Sequence, residues 1–359
     1  MEMALIIKKI EAGNVMSEVL GDLIKDHMTT KLRMLKNFKR YAASKDPDGV
    51  PILSRKIVDE SKINNKINNS FDGDIVDVKL GYMIGNPVIY TITNESESMD
   101  KTPEQKVLDT FNKANYIEDL DGETLKMATI CGYGSRLLYI DKAGLEKVVN
   151  IKPWECIYVQ DGSLNEVAYA MRYYDIADGD NSRIYVEWYD RTTVWYYISA
   201  EKKRDSKNKL VFLPYAKDGI TSQPHQFTGV PLIKFKNNEE ELGDCDRVYS
   251  LIDGYDITTS DVNSELAQLR MAYMAFYGLV PDAKTMAQAK QTGAFGLADP
   301  TSRVEFITKA LNDTAVENHL NRLEENIYKF AKSVNFSDEA FGGNVSGIAM
   351  KFKMFGLVS

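Results

Sequence analysis

The residues of this chain that could do chemistry are mostly acids. Asp72, Asp74 and Asp77 stand two and three apart in "FDGDIVDV" and invite a reading as ligands of a divalent metal. Their spacing departs from the calcium-loop pattern, and acids in the first turn of a helix are already explained by the helix dipole. The acids of "ADGDN" at 177–181 lie between two strand-like runs and read as hairpin-turn chemistry. A larger accumulation follows. Between Glu239 and Glu265 stand nine acids and one base, Arg247, a local charge of −8 that equals the formal excess of the whole chain.

Other reactive groups form no constellation. His27, His225 and His319 fall in unrelated segments, and Cys131, Cys156 and Cys245 are too few and too scattered for a zinc cluster or a disulfide framework. The sequence has no phosphate loop of the G-x-x-x-x-G-K-[ST] form, no dinucleotide fingerprint and no G-x-S-x-G elbow. The expectation is therefore a protein with no metal, no cofactor and no catalytic step. The rival from a different class is a nuclease that uses Asp72, Asp74 and Asp77 with Mg²⁺. A second rival is a monomeric or dimeric adaptor.

Composition narrows the field. The chain has 359 residues, 44% hydrophobic and 27% charged, enough for two or more packed regions of a folded, water-facing protein. No apolar run approaches the eighteen residues of a transmembrane helix. The start, "MEMALIIKKI", has a short apolar run but an acid at position 2 and a charged flank, unlike a secretory signal. With 52 acids against 44 bases there is no simple basic face for gripping phosphates.

The elements that must position these groups follow from periodicity. From Val15 to Phe38, Val19, Leu23, Met28, Leu32 and Leu35 recur at helical spacing. Lys25, Lys31, Arg33, Lys36, Lys39 and Arg40 fill the other positions, either as a solvated face or as one that meets an acidic partner. Ile75, Val76, Leu80, Met83 and Ile84 mark a second helix stopped by Gly85 and Pro87, with "VIYTIT" leaving it as a strand. "TPEQ" at 102–105 has the form of a capping box. A helix around Gly122–Cys131 leads into a β-rich stretch that extends to about residue 236.

The texture then changes. Val248, Ile252, Tyr255, Thr259, Val262, Leu266, Leu269, Tyr273 and Phe276 alternate steps of four and three, predicting one helix of about 45 Å that needs a helical neighbour. Short alternations of strand and helix follow, and then a second helix over Asp313–Val334 with Val316, Leu320, Leu323, Ile327 and Phe330 as its stripe. Ser346 opens a last helical pattern, Ile348–Phe352–Phe355, that has completed barely two turns at Ser359.

Four stretches in this order resemble the portal (head–tail connector) family of tailed bacteriophages, in the form common among siphophages of Gram-positive bacteria. They are "NNSFDGDIVDVKLGYMIGNPVIY", "LKMATICGYGSRLLYID", "PLIKFKNNEEELGDCDRVYSLIDGYDITTSDVNSEL" and "FGGNVSGIAMKFKMFGL". The resemblance implies an α+β fold: a helical and β-rich wing over 1–236, an acidic loop with the first stem helix over 237–276, and a small α/β clip over 277–309. A second stem helix over 310–334, a tunnel loop over 335–346 and the start of a long helix over 347–359 complete it, with the crown absent, so the chain resembles a portal cut short at its C-terminal side. It further implies a ring of twelve copies at one capsid vertex of the virion, assembled in the host cytoplasm. The implied partners are terminase, the major capsid or scaffolding protein and a head-completion adaptor, with double-stranded DNA passing through without sequence specificity. Asp338, Glu339, Phe341 and Asn344 would face DNA from the tunnel loop, backed by Lys351 and Lys353. The acid-rich run suits such a channel: about 45 Å of duplex carries about 26 phosphates, and an acidic lining keeps them from being gripped. Asp246, Asp253, Asp256 and Asp261 are the expected acidic stem face.

Overall fold

The computed structural model describes residues 10, 16–56, 63–92, 102–160, 166–178, 181–204, 210–269, 273–278, 280–292, 301–307 and 313–336. The first long element, α1 (Met16–Tyr41), is 26 residues, about 39 Å, and serves two cores at once. Val19, Leu20, Leu23 and Ile24 pack against Ile157, Met171, Val186, Trp188 and Phe212. Further along, Met34, Leu35, Phe38 and Tyr41 join a second cluster with Val76, Ile130, Cys131, Tyr133 and Trp154. Four of its basic residues are engaged within the chain: Lys31 lies over the Tyr173 ring, Arg33 reaches Asp246, Lys39 pairs with Asp46 and Asp48, and Arg40 is buried between Asp72 and Asp253.

After the short α2 (Pro51–Ser54) come α3 (Phe71–Ile84), α4 (Pro103–Ala114) and α5 (Ile117–Cys131). Thr102 caps α4 by accepting from Gln105 N, as the capping-box pattern requires, with Pro103 at the first helical position. Residues 87–92 form no strand, although their β-branched residues suggested one. Among the described residues they find no neighbouring strand, and a side chain, Gln105, serves their backbone instead.

The chain turns from α5 into β1 (Tyr133–Ile140) at Gly132, whose φ of 98° only glycine adopts without strain. β1 pairs with β2 (Glu146–Ile151) and with β9 (Leu232–Lys236) in a three-stranded antiparallel sheet. Between these strands, the run β3 (Cys156–Gln160), β4 (Val167–Asp178), β5 (Asn181–Tyr189), β6 (Thr193–Arg204) and β7 (Leu210–Pro214) forms an antiparallel meander, to which β8 (Ser222–Pro224) adds on β6. The expected hairpin stands, with Asp178 opposite Asn181. Its alternation buries Met171, Tyr173, Val186 and Trp188 on the face that α1 covers.

The helix that follows residue 248 is shorter than its periodicity predicts. α6 (Tyr249–Leu269) is 21 residues long, and β10 (Tyr273–Tyr277) begins four residues later. "YMAFY" continues the four-and-three apolar spacing, but its aromatic residues also suit a strand, and pairing with β11 (Arg303–Ile307) decides the matter. α7 (Ala283–Thr292) lies between these two strands, and α8 (Asp313–Ala331) packs back on α6. The architecture is α+β.

Candidate functional site

The acid-rich run 237–261 forms a junction where the β-rich region meets α6. The loop preceding α6 is a tight, self-bonded turn. Asn237 Nδ2 donates to Leu242 O and to Asp244 Oδ1 at 2.7 Å, Asn238 exchanges bonds with Leu242 N and O, and Gly243 N donates to Asp246 Oδ2. The turn is pressed onto the end of α5. Asp244 N donates to Thr129 O, and a Cβ added at Gly243 would lie 2.2 Å from Ile130 O. Such an approach excludes every other residue there.

Three basic side chains and one amide then take the acids from the other side. Lys79 Nζ lies 2.8 Å from Asp244 Oδ2. Arg33 Nη2 donates to Glu241 O at 2.7 Å, and its Nη1 is 3.8 Å from Asp246. Asn37 Nδ2 donates to Ile130 O and to Asp246 Oδ1, so one amide ties α1, α5 and the loop. Arg40 is the centre. Its side chain is fully buried, with Nε 3.0 Å from Asp72 Oδ1 and Nη1 2.8 Å from Asp253 Oδ1, while the guanidinium sits 4.2 Å from the Tyr249 ring centroid. The Asp253 contact is Coulombic, since no N–H is aimed along it. Burial works against the Arg40 charge, but Asp72 and Asp253 outweigh it and its pKa is raised. Burial likewise pushes the Asp72 carboxyl upward, and Arg40 opposes this only in part.

Along α6 the buried row is polar. Asp256 is 1% exposed and Ser260 is fully buried, with Ser264 completing the row four residues on. A segment without helix or strand, 63–69, lies along them in the opposite direction. Asn65 N donates to Ser264 Oγ, Ile67 N to Ser260 Oγ and Asn69 N to Asp256 Oδ1, at 2.9–3.0 Å. The match is metrical: two extended residues advance about 6.6 Å and four helical residues about 6.0 Å. A helix face thereby does what a neighbouring strand would do for alternate backbone amides. Burial raises the Asp256 pKa against the two hydrogen bonds from Asn69. Arg55 fixes the other end of the segment by donating to Asn64, Asn65 O and Asp261.

The four expected stem acids are therefore not a bare face. Asp246, Asp253 and Asp256 turn towards the chain's own residues 33–40 and 69, and Asp261, more than half exposed, is paired with Arg55. Their place in one charge run grouped them, at spacings of seven, three and five residues with Asp246 ahead of α6, but did not reveal the bases opposite. Asp338, Glu339, Phe341, Asn344, Lys351 and Lys353 lie outside the described residues. The residues that spacing did not single out are Arg33, Asn37, Arg40, Arg55 and Lys79. A buried Arg inside a charged stripe looks like every other base in that stripe. The i, i+4, i+8 row Asp256–Ser260–Ser264 was the one available signal.

The three acids of α3 do not share a site. Asp72 faces Arg40, Asp74 accepts from Tyr328 Oη, and Asp77 accepts from Tyr41 Oη. Among the described residues, no group of three His, Cys, Asp or Glu side chains is placed to hold a metal. The contact from Tyr328, together with Phe71 packed edge-on against Tyr255 and Tyr328, anchors the end of α8 to α3 and α6 around Ile327, Val248 and Ile252. His27, half-buried and edge-on to Tyr173 with its Nδ1 2.8 Å from the phenol oxygen, has its pKa lowered to about 4 by burial and by Lys31 and Lys234.

This order of parts can be compared with known proteins. The portal protein of Bacillus phage SPP1 is 28% identical over 316 residues, covering 83% of this chain and 58% of the relative. The portal protein of Clostridium phage phiCD119 is 25% identical over 329 residues, covering 85% of this chain and 68% of the relative. The chain thus spans little more than half the length of the SPP1 protein. The family described as "Phage portal protein, SPP1 Gp6-like" matches residues 22–359, and the chain belongs to it.

Proposed function

We propose that this chain is the wing, stem and clip part of a portal subunit that assembles with copies of itself into a ring, through which double-stranded DNA enters and leaves a phage capsid. The observation that carries this reading is the α6–α8 pair. It holds eight acids and two bases, and with Arg40 and Arg55 counted against Asp253 and Asp261 a net charge of −4 remains. Within the chain, α8 buries only Ile327, while Val316, Leu320 and Leu323 stay half-buried and Phe330 is 54% exposed. A copy packed alongside completes that stripe, at about 1.5–3 kcal/mol per large side chain buried. The net charge suits a wall that duplex DNA passes without being held, because few phosphate contacts form and few must break at each step.

In this reading no residue performs a chemical step. DNA passes without sequence recognition, residues 335–346 carry Asp338, Glu339, Phe341 and Asn344 towards it, and 277–309 meets terminase and then a head-completion adaptor. The capsid or scaffolding protein contacts the wing. Multi-angle light scattering of the purified chain tests the assembly. A discrete species of many subunits that persists on dilution is expected, and a monomer at every concentration would overturn the proposal.

A further inference from the structure

Exposed apolar side chains gather at residues 82–92. Tyr82, Met83, Val88, Ile89, Tyr90 and Ile92 are exposed there, Ile89 to 83%, and exposed Tyr116 lines the same groove as Val88 and Tyr90. A folded chain rarely leaves a patch of this size open without a partner. They border a groove of about 860 Å³ between the end of α3 and the start of α5, lined by Leu80, Ile84, Val88, Tyr90 and Tyr116.

The backbone beside that groove is built like half of a strand pair. Gln105 Nε2 donates to Tyr90 O at 3.0 Å, and Gln105 Oε1 accepts from Ile92 N at 2.8 Å. One side-chain amide thus supplies the N–H and C=O that a single residue of a neighbouring parallel strand would present. The opposite edge, with the N–H and C=O of Ile89 and Thr91, has no hydrogen-bond partner among the described residues. An extended segment with one edge satisfied and one open is a template for strand addition.

An apolar run outside the described elements, Met3-Ala4-Leu5-Ile6-Ile7, is followed directly by two bases, Lys8 and Lys9. Its five residues match the length of 88–92. The groove carries Glu118 and Asp119, both exposed, against Lys113, while Glu123 and Lys126 pair with each other. Reach decides between the same copy and another. Ile10 packs in the cluster of Leu20 and Leu23, and five residues of chain from Ile10 to Leu5 extend about 17 Å at most. The groove lies at the other end of α1, where Tyr41 Oη donates to Asp77, one turn before the groove residues Leu80 and Gly81, and α1 runs about 32 Å from Leu20 to Tyr41.

We infer that residues 3–7 of a second copy add as a strand to the open edge of 88–92, their apolar side chains entering the groove and Lys8 and Lys9 meeting Glu118 and Asp119. The inference rests on the ring reading, since a head-to-tail contact of this kind propagates from copy to copy.

The full-length chain carrying Ile89→Cys together with Leu5→Cys or, separately, Ile6→Cys tests this under mild oxidation. Cys131, Cys156 and Cys245 are buried and stay out of the reaction. One of the two pairs should give a ladder of covalent oligomers beyond dimer on a non-reducing gel, absent from each single-cysteine variant. Adding Lys8→Glu and Lys9→Glu to that pair should reduce the ladder several-fold, and restoring it with Glu118→Lys and Asp119→Lys would confirm the register. Light scattering on the same samples separates the failures. Rings without a ladder overturn this contact and leave the ring reading standing. A fast-migrating, internally cross-linked monomer overturns the exchange between copies. Monomer alone overturns both.

Discussion

Replacing Arg40 by methionine tests whether charge holds the junction between the β-rich region and α6. Methionine keeps much of the apolar stem of a fully buried side chain, so little packing is lost. What disappears is the guanidinium 3.0 Å from Asp72, 2.8 Å from Asp253 and 4.2 Å from the Tyr249 ring. Breaking a buried pair by removing one member costs about 3–5 kcal/mol, because the other stays buried without its countercharge. The lost cation–π contact adds about 1 kcal/mol. Asp253 is partly open to water, which lowers its share, so a net loss of about 3–4 kcal/mol at neutral pH is the expectation. The loss should shrink on acidification. Burial raises the Asp72 pKa, and without Arg40 it rises further. A carboxyl whose folded pKa lies above its unfolded one favours the folded state below the unfolded value and loses that contribution as pH rises through the folded value. Urea unfolding followed by tryptophan fluorescence reads both effects, and adding Asp72→Asn to Arg40→Met should recover part of the loss. A cost below about 1 kcal/mol that does not vary with pH would refute the reasoning.

Three further outcomes follow from local geometry. His27 is held neutral with a pKa of about 4, so the unfolded chain takes up its proton first as pH falls; stability should decline between about pH 6.5 and 4, by up to roughly 3 kcal/mol, and His27→Gln should flatten that slope in acid titrations of unfolding. Gly132→Ala places a Cβ 1.9 Å from Glu241 O at a φ of 98° and should cost more than about 2 kcal/mol or abolish folding. Gly122→Ala, with nothing within 4 Å, should raise the melting stability by about 0.5–1 kcal/mol. Native-state hydrogen exchange should find the amides of Asn65, Ile67 and Asn69 protected and those of Lys66 and Asn68 fast, and Ser260→Ala should release Ile67 alone at a cost of about 1–2 kcal/mol.

Much of this fold was legible because local signals agreed with tertiary packing. The capping pattern Thr102–Gln105, the stop at Gly85 and the alternation of β4 and β5 each point to the element that forms. Legibility failed where the deciding partner was distant in sequence. "YMAFY" carries a helix-compatible period, and only β11, some 30 residues on, makes it a strand. "VIYTIT" has strand composition but meets one glutamine side chain where a strand would be. The acids of 239–261 were visible as a charge run; Glu239 and Glu241 find Lys236 and Lys234 nearby, whereas Arg33, Arg40, Arg55 and Lys79, which take Asp246, Asp253, Asp261 and Asp244, come from segments some 160 to 210 residues away. A charge run seen in isolation looks solvated. Folded, it becomes the set of contacts that fixes α6 against the rest of the chain.

Electron microscopy of the assembled protein is the most direct measurement. The account predicts closed rings, seen in projection down their axis, with a central opening wide enough for a DNA duplex and the α6–α8 pairs arranged around it. Particles with no opening, or rings whose α6–α8 pairs lie on the outer rim, would contradict it.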